Sequence, residues 1–523
     1  MSSVYKTTIT LNPLHTIVLQ PLSLAYIARQ LDGQLMFCDP QTRDQTISRV
    51  STDSRNLSQG DLFVALVGKQ HNGHDFVTEA RERGVSAAVI STNMTSISMP
   101  CIQVKDTQEA YGQLAKINRE FFTKPVIAIT GSNGKTSVKH MLYQLLAQKQ
   151  NIYASQGNYN NEIGVPFSLL QLNQKHQAAI FELGARKSGD IAYLSHLVKP
   201  NIAIITNIGE AHIEYFGDQP GIAKTKREIF NALQPQGTAV LPYDTPYYDL
   251  LSEQLAQKPL QQSGVQRINF SLSNDQADVY ATDIKTNHKQ KFHQEFTLFY
   301  RLPVSQAQNK KTQNTAKRET QSVHINLALL GRHNVYNFIA AAAAYLNLGF
   351  SPASLAASAP FIQPMAGRLE PIVLNHNTLM INDSYNASPT SVQAAIDVLA
   401  DLNGYKNKVL ILANMLELGD KTLAYHEHIG HYAAERTVDA LFTLGDYACY
   451  SLEAFKKHLA ESERHTSERV FKRQALAAAT LNQLFDQIKQ YMAQTQGKTV
   501  LLIKGSNSMK LGELVNRLEQ DLK

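Results

Sequence analysis

The sequence predicts an α/β protein of three domains, and three observations lead to this fold class. A chain of 523 residues is long enough for about three separately buried cores. Apolar strands alternate with helical segments in the middle and again in the last part of the chain, as in parallel sheets covered by helices on both faces. A glycine-bracketed Gly-Lys-Thr loop connects one of these strands to a helix. We expect domains at residues 1–123, 124–357 and 358–523.

The composition is that of an ordinary globular protein, with 43% apolar and 18% charged residues and a net charge of +6. No concentrated basic segment argues for nucleic acid. The most apolar run, residues 338–350, is shorter than the roughly 20 residues of a membrane span, and the N-terminal residues lack a signal-peptide pattern. The three cysteines are widely spaced, which excludes a thiolate metal site of the CxxC type. We therefore predict a soluble, cytoplasmic protein that binds neither membranes nor nucleic acid.

The strands and helices can be placed from their apolar patterns. In the first domain DLFVALVG and SAAVIS are candidate strands, and YGQLAKINREFF is helical. The second domain opens with the β-branched KPVIAIT, followed by the helical SVKHMLYQLLAQ and the strands QAAIFELGA and PNIAIITNIG. In the third domain TLMINDSY, KVLILANM, DALFTLGD and TVLLIKGS are strands between helical stretches. The polar, basic residues 303–321 are predicted as a solvated loop between the strands EFTLFY and VHINLAL.

The loop between KPVIAIT and the following helix has the form of a nucleotide-phosphate site. Its six residues are Gly131, Ser132, Asn133, Gly134, Lys135 and Thr136. In such a loop the backbone N–H groups and the helix N-terminus bind phosphate oxygens, the lysine reaches the β- and γ-phosphates of ATP, and the threonine hydroxyl ligates Mg²⁺. Ile129 stands where the common pattern has a glycine. The alternative is an ordinary glycine turn, but the agreement of strand, loop, Lys-Thr and helix favours the ATP site.

Three further residues are candidates for the surroundings of a metal ion. Glu182 lies near the end of the strand QAAIFELGA, and His212 lies in the loop after the next strand. The carboxyl ends of parallel strands meet at the ligand-binding edge of a sheet, so both side chains are expected beside the phosphate loop and near Mg²⁺. Taken singly, either residue could be structural. Lys226 lies on an amphipathic helix next to Arg227 and Glu228, and its spacing alone predicts a solvated lysine.

Polar residues later in the chain are candidates for contact with the nucleotide. Asn334 and Asn337 lie at i and i+3 at the start of a helix, where their amides could read an adenine or ribose edge. The alternative for Asn334 is helix capping. Arg368 of GRLE could neutralise a transferring phosphoryl group from across the cleft between two α/β domains. Asp383, at the end of a strand, could hold a ribose hydroxyl or organise a cation.

Taken together, the motifs resemble the Mur ligase family of bacterial peptidoglycan synthesis. TGSNGKT, GNYNNEIGVP, FELGA, TNIGEAHIEYFG, GRHNVYN, GRLE and NDSYNASP occur in the order of that family, over nearly the whole chain. GNYNNEIGVP, DSYNASP and MLELG are similar to the member that adds D-Ala-D-Ala to UDP-MurNAc-tripeptide. The DYAHTP and DNPR-type segments of the diaminopimelate- or lysine-adding member are missing. The resemblance implies an ATP- and Mg²⁺-dependent amide ligase, a cytoplasmic monomer that makes UDP-MurNAc-pentapeptide through an acyl phosphate.

The resemblance also implies the fold and the roles of residues. It implies an N-terminal α/β domain that binds the UDP-sugar through Ser54 and Arg55, a central ATPase with a mostly parallel sheet, and a C-terminal Rossmann-like domain. It implies ATP contacts from residues 131–136 and from Asn334, Asn337, Arg368 and Asp383. It implies Mg²⁺ ligation by Thr136, Glu182, His212 and a carbamoylated Lys226. It implies substrate-peptide contacts from Asn160, Asn161, Tyr385 and Asn386. Its catalytic set is Lys135, Glu182, His212, Lys226 and Arg368.

Two other functions stay open at this point. Another amide ligase of the superfamily, either a different Mur ligase or a folylpolyglutamate synthase, would share the ATP site. A nucleotide-switched binding protein would share only the phosphate loop, and the missing NKxD-type guanine motif argues against it. The segments ANM, NASP, KGSN and KRE stand where the family has GDM, NANP, KGSR and KGE. These departures leave the ATP and metal positions intact and concern chiefly the third domain.

Overall fold

In the computed structural model the N-terminal sheet has six strands. Its elements are β1 (Ile17–Ser23), α1 (Leu24–Gln30), β2 (Gln34–Met36), α2 (Pro40–Arg43), β3 (Thr46–Ser51), β4 (Leu62–Val64), α3 (Val77–Glu82), β5 (Ala87–Ile90), β6 (Cys101–Gln103) and α4 (Thr107–Phe121). The strand order is β1-β3-β4-β5-β6-β2, in which β3 to β6 are parallel and β1 and β2 are antiparallel to their neighbours. All residues of β4 and β5 are buried, which confirms the predicted strands DLFVALVG and SAAVIS.

The structure describes residues 17–94, 98–210, 213–287, 292–301, 319–463 and 473–523. His212 and most of the polar segment 303–321 therefore lie outside the described residues. The described residues divide into two compact units. The first lies within the limits Met1–Val126, Asn151–Leu183 and Tyr193–Pro200, and the second within Ile127–Gln150, Gly184–Ala192 and Asn201–Lys523. This division does not follow the expected domain limits, which stay predictions.

The middle part of the chain supplies the strand and helix that flank the phosphate loop. Its elements are β7 (Val126–Thr130), α5 (Lys135–Ala147), β8 (Ile152–Ala154), α6 (Gly164–Leu170), β9 (Ala178–Glu182), α7 (Asp190–Val198), β10 (Ile202–Ile205), α8 (Ile213–Phe216), α9 (Gln219–Arg227), β11 (Thr238–Pro242), α10 (Tyr248–Leu255), α11 (Lys258–Gln262), β12 (Gln266–Ser271), β13 (Val279–Asn287), β14 (His293–Tyr300), β15 (Gln321–Leu327), α12 (Arg332–Asn347) and α13 (Pro352–Ser358). In the second unit the strand order is β15-β14-β13-β12-β11-β10-β7. Strands β7 and β10 to β13 are parallel, and β14 and β15 are antiparallel. The predicted mostly parallel sheet is confirmed.

In the first unit, helix α4 is attached by buried polar contacts. It packs against α6, and Asn118 Nδ2 donates to the carbonyls of Leu169 and Leu172 at 2.9 and 3.2 Å. The buried Arg119 guanidinium donates to the carbonyls of Val198 and Lys199, near the end of α7. The last carbonyls of a helix have no partner within the helix. Arg119 therefore satisfies groups that would otherwise be buried without a hydrogen bond.

The last part of the chain forms a third sheet with helices on both faces. Its elements are β16 (Glu370–Asn375), β17 (Thr378–Asp383), α14 (Pro389–Asp401), β18 (Asn407–Ala413), α15 (Thr422–Glu435), β19 (Ala440–Leu444), α16 (Ala448–Glu463), β20 (Gln474–Ala478), α17 (Leu481–Gln494), β21 (Thr499–Lys504) and α18 (Leu511–Leu522). The order is β16-β17-β21-β18-β19-β20, and only β16 is antiparallel among these strands. Successive residues of β18 point to opposite faces of the sheet and enter two different hydrophobic cores. Leu410 and Leu412 pack into one core, and Val409 and Ile411 pack into the other. The three-domain α/β fold class is confirmed.

No helix within the described ranges combines the length and the apolar character that crossing a membrane requires.

Buried neutral histidines predict a loss of stability in mild acid. The ring Nε2 atoms of His74 and His426 accept from the backbone N–H groups of Ser91 and Met415, so both rings must stay unprotonated there. Burial lowers the pKa of both imidazoles, and it lowers the pKa of His333 to about 4. An unfolded histidine binds a proton at about pH 6.5, so the unfolded chain takes up protons that the folded chain does not. We expect the free energy of unfolding to fall as the pH is lowered from about 7 to about 4.

Thermal unfolding midpoints measured across that pH range test this prediction. His426→Gln removes one titrating ring and should weaken the pH dependence, whereas the exposed His376→Gln should leave it unchanged. A midpoint that stays constant between pH 7 and pH 5 would contradict the prediction.

Candidate active site

The phosphate loop lies between β7 and α5, in the second unit. Gly134 precedes the first helical residue with φ of 79°, and Gly131 has φ of 151°. A side-chain carbon on either glycine would overlap with a neighbour, Thr206 at Gly131 and Asn337 at Gly134. Ile129, at the position of the missing glycine, is a fully buried residue of β7. Both glycines are thus required by close approaches, which an ordinary turn at a sheet edge does not demand.

The loop after β10 holds the phosphate loop in place. The N–H groups of Ser132 and Asn133 donate to the backbone and side-chain oxygens of Asn207 at 3.1 and 2.8 Å. The Thr206 hydroxyl donates to the carbonyl of Asn133, and the Ser132 hydroxyl is bonded to both backbone groups of Gly209. These two N–H groups are therefore engaged within the protein and are not directed at a ligand. The groups that can bind an anion here are the backbone N–H groups at the N-terminus of α5.

Thr206 and Asn207 were not singled out from the sequence. The available signal was the TNIG segment directly after a buried strand. Because β10 is the parallel neighbour of β7, with Ile205 in register with Thr130, the segments that follow the two strands lie side by side.

The two functional side chains of the loop have defined surroundings. Lys135 Nζ donates to the carbonyls of Gly131 and Ser132 at 2.8 and 3.1 Å, so the ammonium lies over the loop. Thr136 is buried, and its hydroxyl oxygen accepts from Arg368 Nη2 at 3.1 Å. The lysine and the arginine thus bring two positive charges to the start of α5.

The two asparagines of α12 are buried beside the phosphate loop. Helix α12 packs against α5, and the Asn337 side-chain oxygen lies next to Gly134. Asn334 Nδ2 donates to the carbonyl of Leu330 at 2.8 Å, while Gly331 is the N-cap residue. The capping hypothesis for Asn334 is therefore wrong.

Arg368 reaches the phosphate loop from the segment that precedes β16. Its guanidinium carbon lies 4.3 Å from the centre of the Tyr385 ring, in a cation–π geometry. Its Nε atom is buried, and no described residue accepts a hydrogen bond from it. A buried guanidinium donor without an acceptor costs free energy that a bound anion would recover. This orphaned donor beside Thr136 fits a phosphate ligand.

A second connection joins the phosphate loop to α14 within the same unit. The Asn133 side-chain nitrogen donates to the Thr390 hydroxyl at 3.0 Å, and the Ser388 hydroxyl donates to the Asn133 side-chain oxygen at 3.2 Å. The third sheet therefore lies close to the phosphate loop in this structure, as a closed site that excludes water requires.

Comparison with known proteins identifies the family. Residues 46–119, 129–345 and 367–507 match the family models described as "Mur ligase family, catalytic domain", "Mur ligase middle domain" and "Mur ligase, glutamate ligase domain". The UDP-N-acetylmuramoyl-tripeptide–D-alanyl-D-alanine ligase of Escherichia coli is 34% identical over 503 residues, which cover 96% of this chain and 99% of that protein. The chain belongs to the Mur ligase family.

Two further relatives agree with this assignment to the Mur ligases. The ligase of the same name from Bacillus subtilis is 34% identical over 94% of this chain and 97% of its own length. A crystal structure of MurF from Acinetobacter baumannii superimposes with a TM-score of 0.81 at 30% identity, covering 97% of this chain and 100% of that one.

Lys226 of this Mur ligase is buried. It lies near the end of α9 with an exposed fraction of 2%, and its ammonium is 5.9 Å from the centre of the Phe216 ring. The prediction of a solvated lysine, made from its spacing, is therefore wrong. A lysine is rarely buried completely in a protein core without a specific reason.

Three predicted site residues of the first unit, Asn160, Asn161 and Glu182, lie between β8 and the end of β9. Glu182, with an exposed fraction of 3%, accepts a hydrogen bond from Asn160 Nδ2 at 2.9 Å, so these two residues are brought together. Asn161 instead accepts from the N–H group of Gly164 at the start of α6.

Residues 52–55, with the sequence TDSR, lead from β3 into a short turn over Ser54–Asn56. Ser54 is buried in it, whereas the Arg55 side chain is exposed and pairs with Asp53 at 2.8 Å. An exposed guanidinium held by one carboxylate is available to an anionic ligand.

The donors present fit Mg²⁺. Among the residues that the structure describes, no group of three or more histidine, cysteine, aspartate or glutamate side chains could hold a metal ion by itself. Mg²⁺ is held by one or two protein oxygens together with phosphate oxygens and water, so a single hydroxyl beside the phosphate loop suffices as a starting ligand. The buried Thr136 supplies that oxygen within the second unit.

Proposed function

We propose that this Mur ligase joins D-alanyl-D-alanine to UDP-MurNAc-tripeptide with conversion of ATP to ADP and phosphate, giving UDP-MurNAc-pentapeptide for peptidoglycan. One observation carries the proposal. The Escherichia coli relative of that name matches along nearly the full length of both chains, so the match spans the segments that form all three sheets here. The orphaned donor of Arg368 beside the phosphate loop supports the use of a phosphate-bearing substrate.

The proposed reaction has two steps. The terminal carboxylate oxygen of the tripeptide forms a bond to the γ-phosphorus of ATP while the bond to ADP breaks. The amine of D-Ala-D-Ala then attacks the acyl carbon, loses a proton, and inorganic phosphate leaves. Phosphorylation is needed because a carboxylate would otherwise have to expel oxide. Since an acyl phosphate is hydrolysed by water, the contacts of Asn133 with α14 support a closed site during both steps.

The protein contributes positioning and charge stabilisation. We assign Lys135 and Arg368 to the phosphates, where their positive charges stabilise the charge that develops during transfer. We assign contacts with the bound nucleotide to Asn334, Asn337 and Asp383, and to the N-terminus of α5. When bound, Mg²⁺ neutralises charge on the phosphate oxygens. Its proposed protein ligands are Thr136, Glu182, His212 and Lys226 in carbamoylated form, a modification that turns a buried cation into a carboxylate.

The remaining assignments concern the other substrates. Ser54 and Arg55 are proposed to bind the UDP-sugar, a role that the exposed guanidinium of Arg55 supports. Asn160, Asn161 and Asn386 are proposed to contact the peptide, together with Tyr385. The enzyme is expected to act as a monomer.

Phosphate release from Mg-ATP tests the proposal directly. The enzyme is incubated with UDP-MurNAc-tripeptide, with D-Ala-D-Ala, with both and with neither, and the product is identified by mass. We expect release that requires both substrates, with formation of the pentapeptide. Release with neither substrate would instead favour a nucleotide switch, and equal rates with single D-amino acids would exclude the dipeptide assignment.

A further inference from the structure

We propose that Lys504 and Tyr385 are positioning residues that hold the Arg368 guanidinium at the phosphate loop. The inference rests on the proposed function, because it concerns how that site keeps a charged group ready for phosphate. Neither residue needs to touch the nucleotide for this role. Tyr385 thereby gains a function other than the peptide contact that the family resemblance implied.

The backbone around Arg368 has to be held by its surroundings. Gly367 has φ of 72° and Leu369 has φ of 46°, so a residue with a branched side chain adopts a left-handed conformation directly after the arginine. Such a conformation is unfavourable for leucine and persists only where neighbouring contacts determine it. The segment therefore depends on the groups that bind its backbone.

Asp383 is the group that binds Leu369. Its Oδ1 atom accepts from the N–H group of Leu369 at 3.1 Å. Its Oδ2 atom accepts from Lys504 Nζ at 2.6 Å. Both carboxylate oxygens are thus engaged within the protein, one on the arginine segment and one on the lysine.

Lys504 fixes both Asp383 and the segment that carries Tyr385. It ends β21, in register with Asp383 on the parallel neighbour β17, and its exposed fraction is 2%. Besides the carboxylate, its ammonium donates to the carbonyl of Asn386 at 2.9 Å, one residue beyond Tyr385. One buried cation therefore ties together the two segments that surround Arg368. A charge buried to this extent is stable only when paired and hydrogen-bonded, as it is here.

Tyr385 holds the guanidinium of Arg368 in position. Its ring centre is 4.3 Å from the guanidinium carbon, and its N–H group donates to the carbonyl of Gly367 at 3.1 Å. With the guanidinium carbon over the ring and Nη2 bonded to Thr136, two contacts restrict where the unused Nε donor can lie. The ring and the lysine together orient one positive group without taking part in the reaction, and the lysine acts through Asp383.

The alternative is that Lys504 and Asp383 form an ion pair that only stabilises the third sheet. The two roles differ in how substitutions combine. If Lys504 and Tyr385 act through Arg368, their effects disappear once the guanidinium is removed, whereas purely structural effects persist and add.

The experiment is a pair of double-mutant cycles on the full-length enzyme. Lys504→Met and Tyr385→Leu are each measured alone and in an Arg368→Ala background, by ligase turnover and by the calorimetric affinity for ATP. We expect each single variant to reduce kcat by about 100-fold, the effect of misplacing a catalytic group by about 1 Å. In the Arg368→Ala background we expect a further loss below about twofold.

Several controls keep the proposal open to refutation. Tyr385→Phe keeps the ring and should lose less activity than Tyr385→Leu. Lys408→Met removes a lysine at the other end of the neighbouring strand β18 and should leave kcat unchanged. Tyr385 is half-buried, so its cycle remains informative if Lys504→Met does not fold.

Additive losses in both cycles would overturn the proposal, as would wild-type kcat in both single variants. The affinity for ATP separates this result from a failure of the proposed function. A wild-type enzyme that binds ATP but shows no turnover with the two substrates would contradict the ligase assignment, while the same cycles in ATP affinity would still test the positioning roles.

Discussion

A Lys135→Ala variant is expected to lose ligase turnover by on the order of 1,000-fold and to remain folded. The ammonium lies over the phosphate loop, bonded to the carbonyls of Gly131 and Ser132, where it can meet the phosphates of a bound nucleotide. Removing one charged donor from the charge that develops in a transition state costs about 100- to 1,000-fold in kcat. The loop keeps its shape without the lysine because Asn207 and Thr206 hold its backbone.

Steady-state phosphate release and thermal unfolding measured on the same samples test this expectation. Lys149→Ala is a matched control, because Lys149 is exposed and lies just beyond the other end of α5. It should leave both quantities unchanged. Near-normal turnover of Lys135→Ala would break the assignment of the ATP site.

An Arg119→Met variant is expected to lower the free energy of unfolding by about 3–5 kcal/mol. Arg119 has an exposed fraction of 7%, and its guanidinium donates to the carbonyls of Val198, Phe122 and Lys199 at 2.6, 2.6 and 2.7 Å. Burial lowers its pKa to about 10, so it stays charged at neutral pH. Methionine fills much of the volume but leaves the buried carbonyls of Val198 and Phe122, and the half-buried carbonyl of Lys199, without these donors. Each lost partner of a buried carbonyl costs about 1–3 kcal/mol.

Denaturant unfolding monitored at several urea concentrations measures this loss. Arg119→Lys keeps a charge and can donate to part of the carbonyl set, so it should lose less than Arg119→Met. Arg83→Ala removes an exposed ion pair with Glu79, which is expected to matter by less than about 1 kcal/mol. An Arg119→Met midpoint equal to that of the wild type would contradict the role of these contacts.

The sequence by itself was enough for the buried strands with a clear apolar run, such as β4, β5 and β7, for the helices α4 and α5, and for the phosphate loop. KPVIAIT, GSNGKT and the helix after them are contiguous, and each carries its own signal: β-branched residues, glycines and a helical apolar period. Elements of this kind can be predicted from their own residues, without knowing which segments pack against them. The family followed from the same short motifs, since they lie in one order along the chain.

Only the tertiary structure decided which side chains are buried and what they contact. Lys226 looked like a solvated residue from its charged neighbours, and its burial depends on the elements that pack against α9. Asn334 looked like a cap, but the helix begins at Arg332 and leaves the amide facing Leu330. Asn207 and Lys504 act across the sheet on residues far away in the chain. Periodicity along a segment records which face is apolar, whereas the partner of a polar atom is set by strands that meet only after folding.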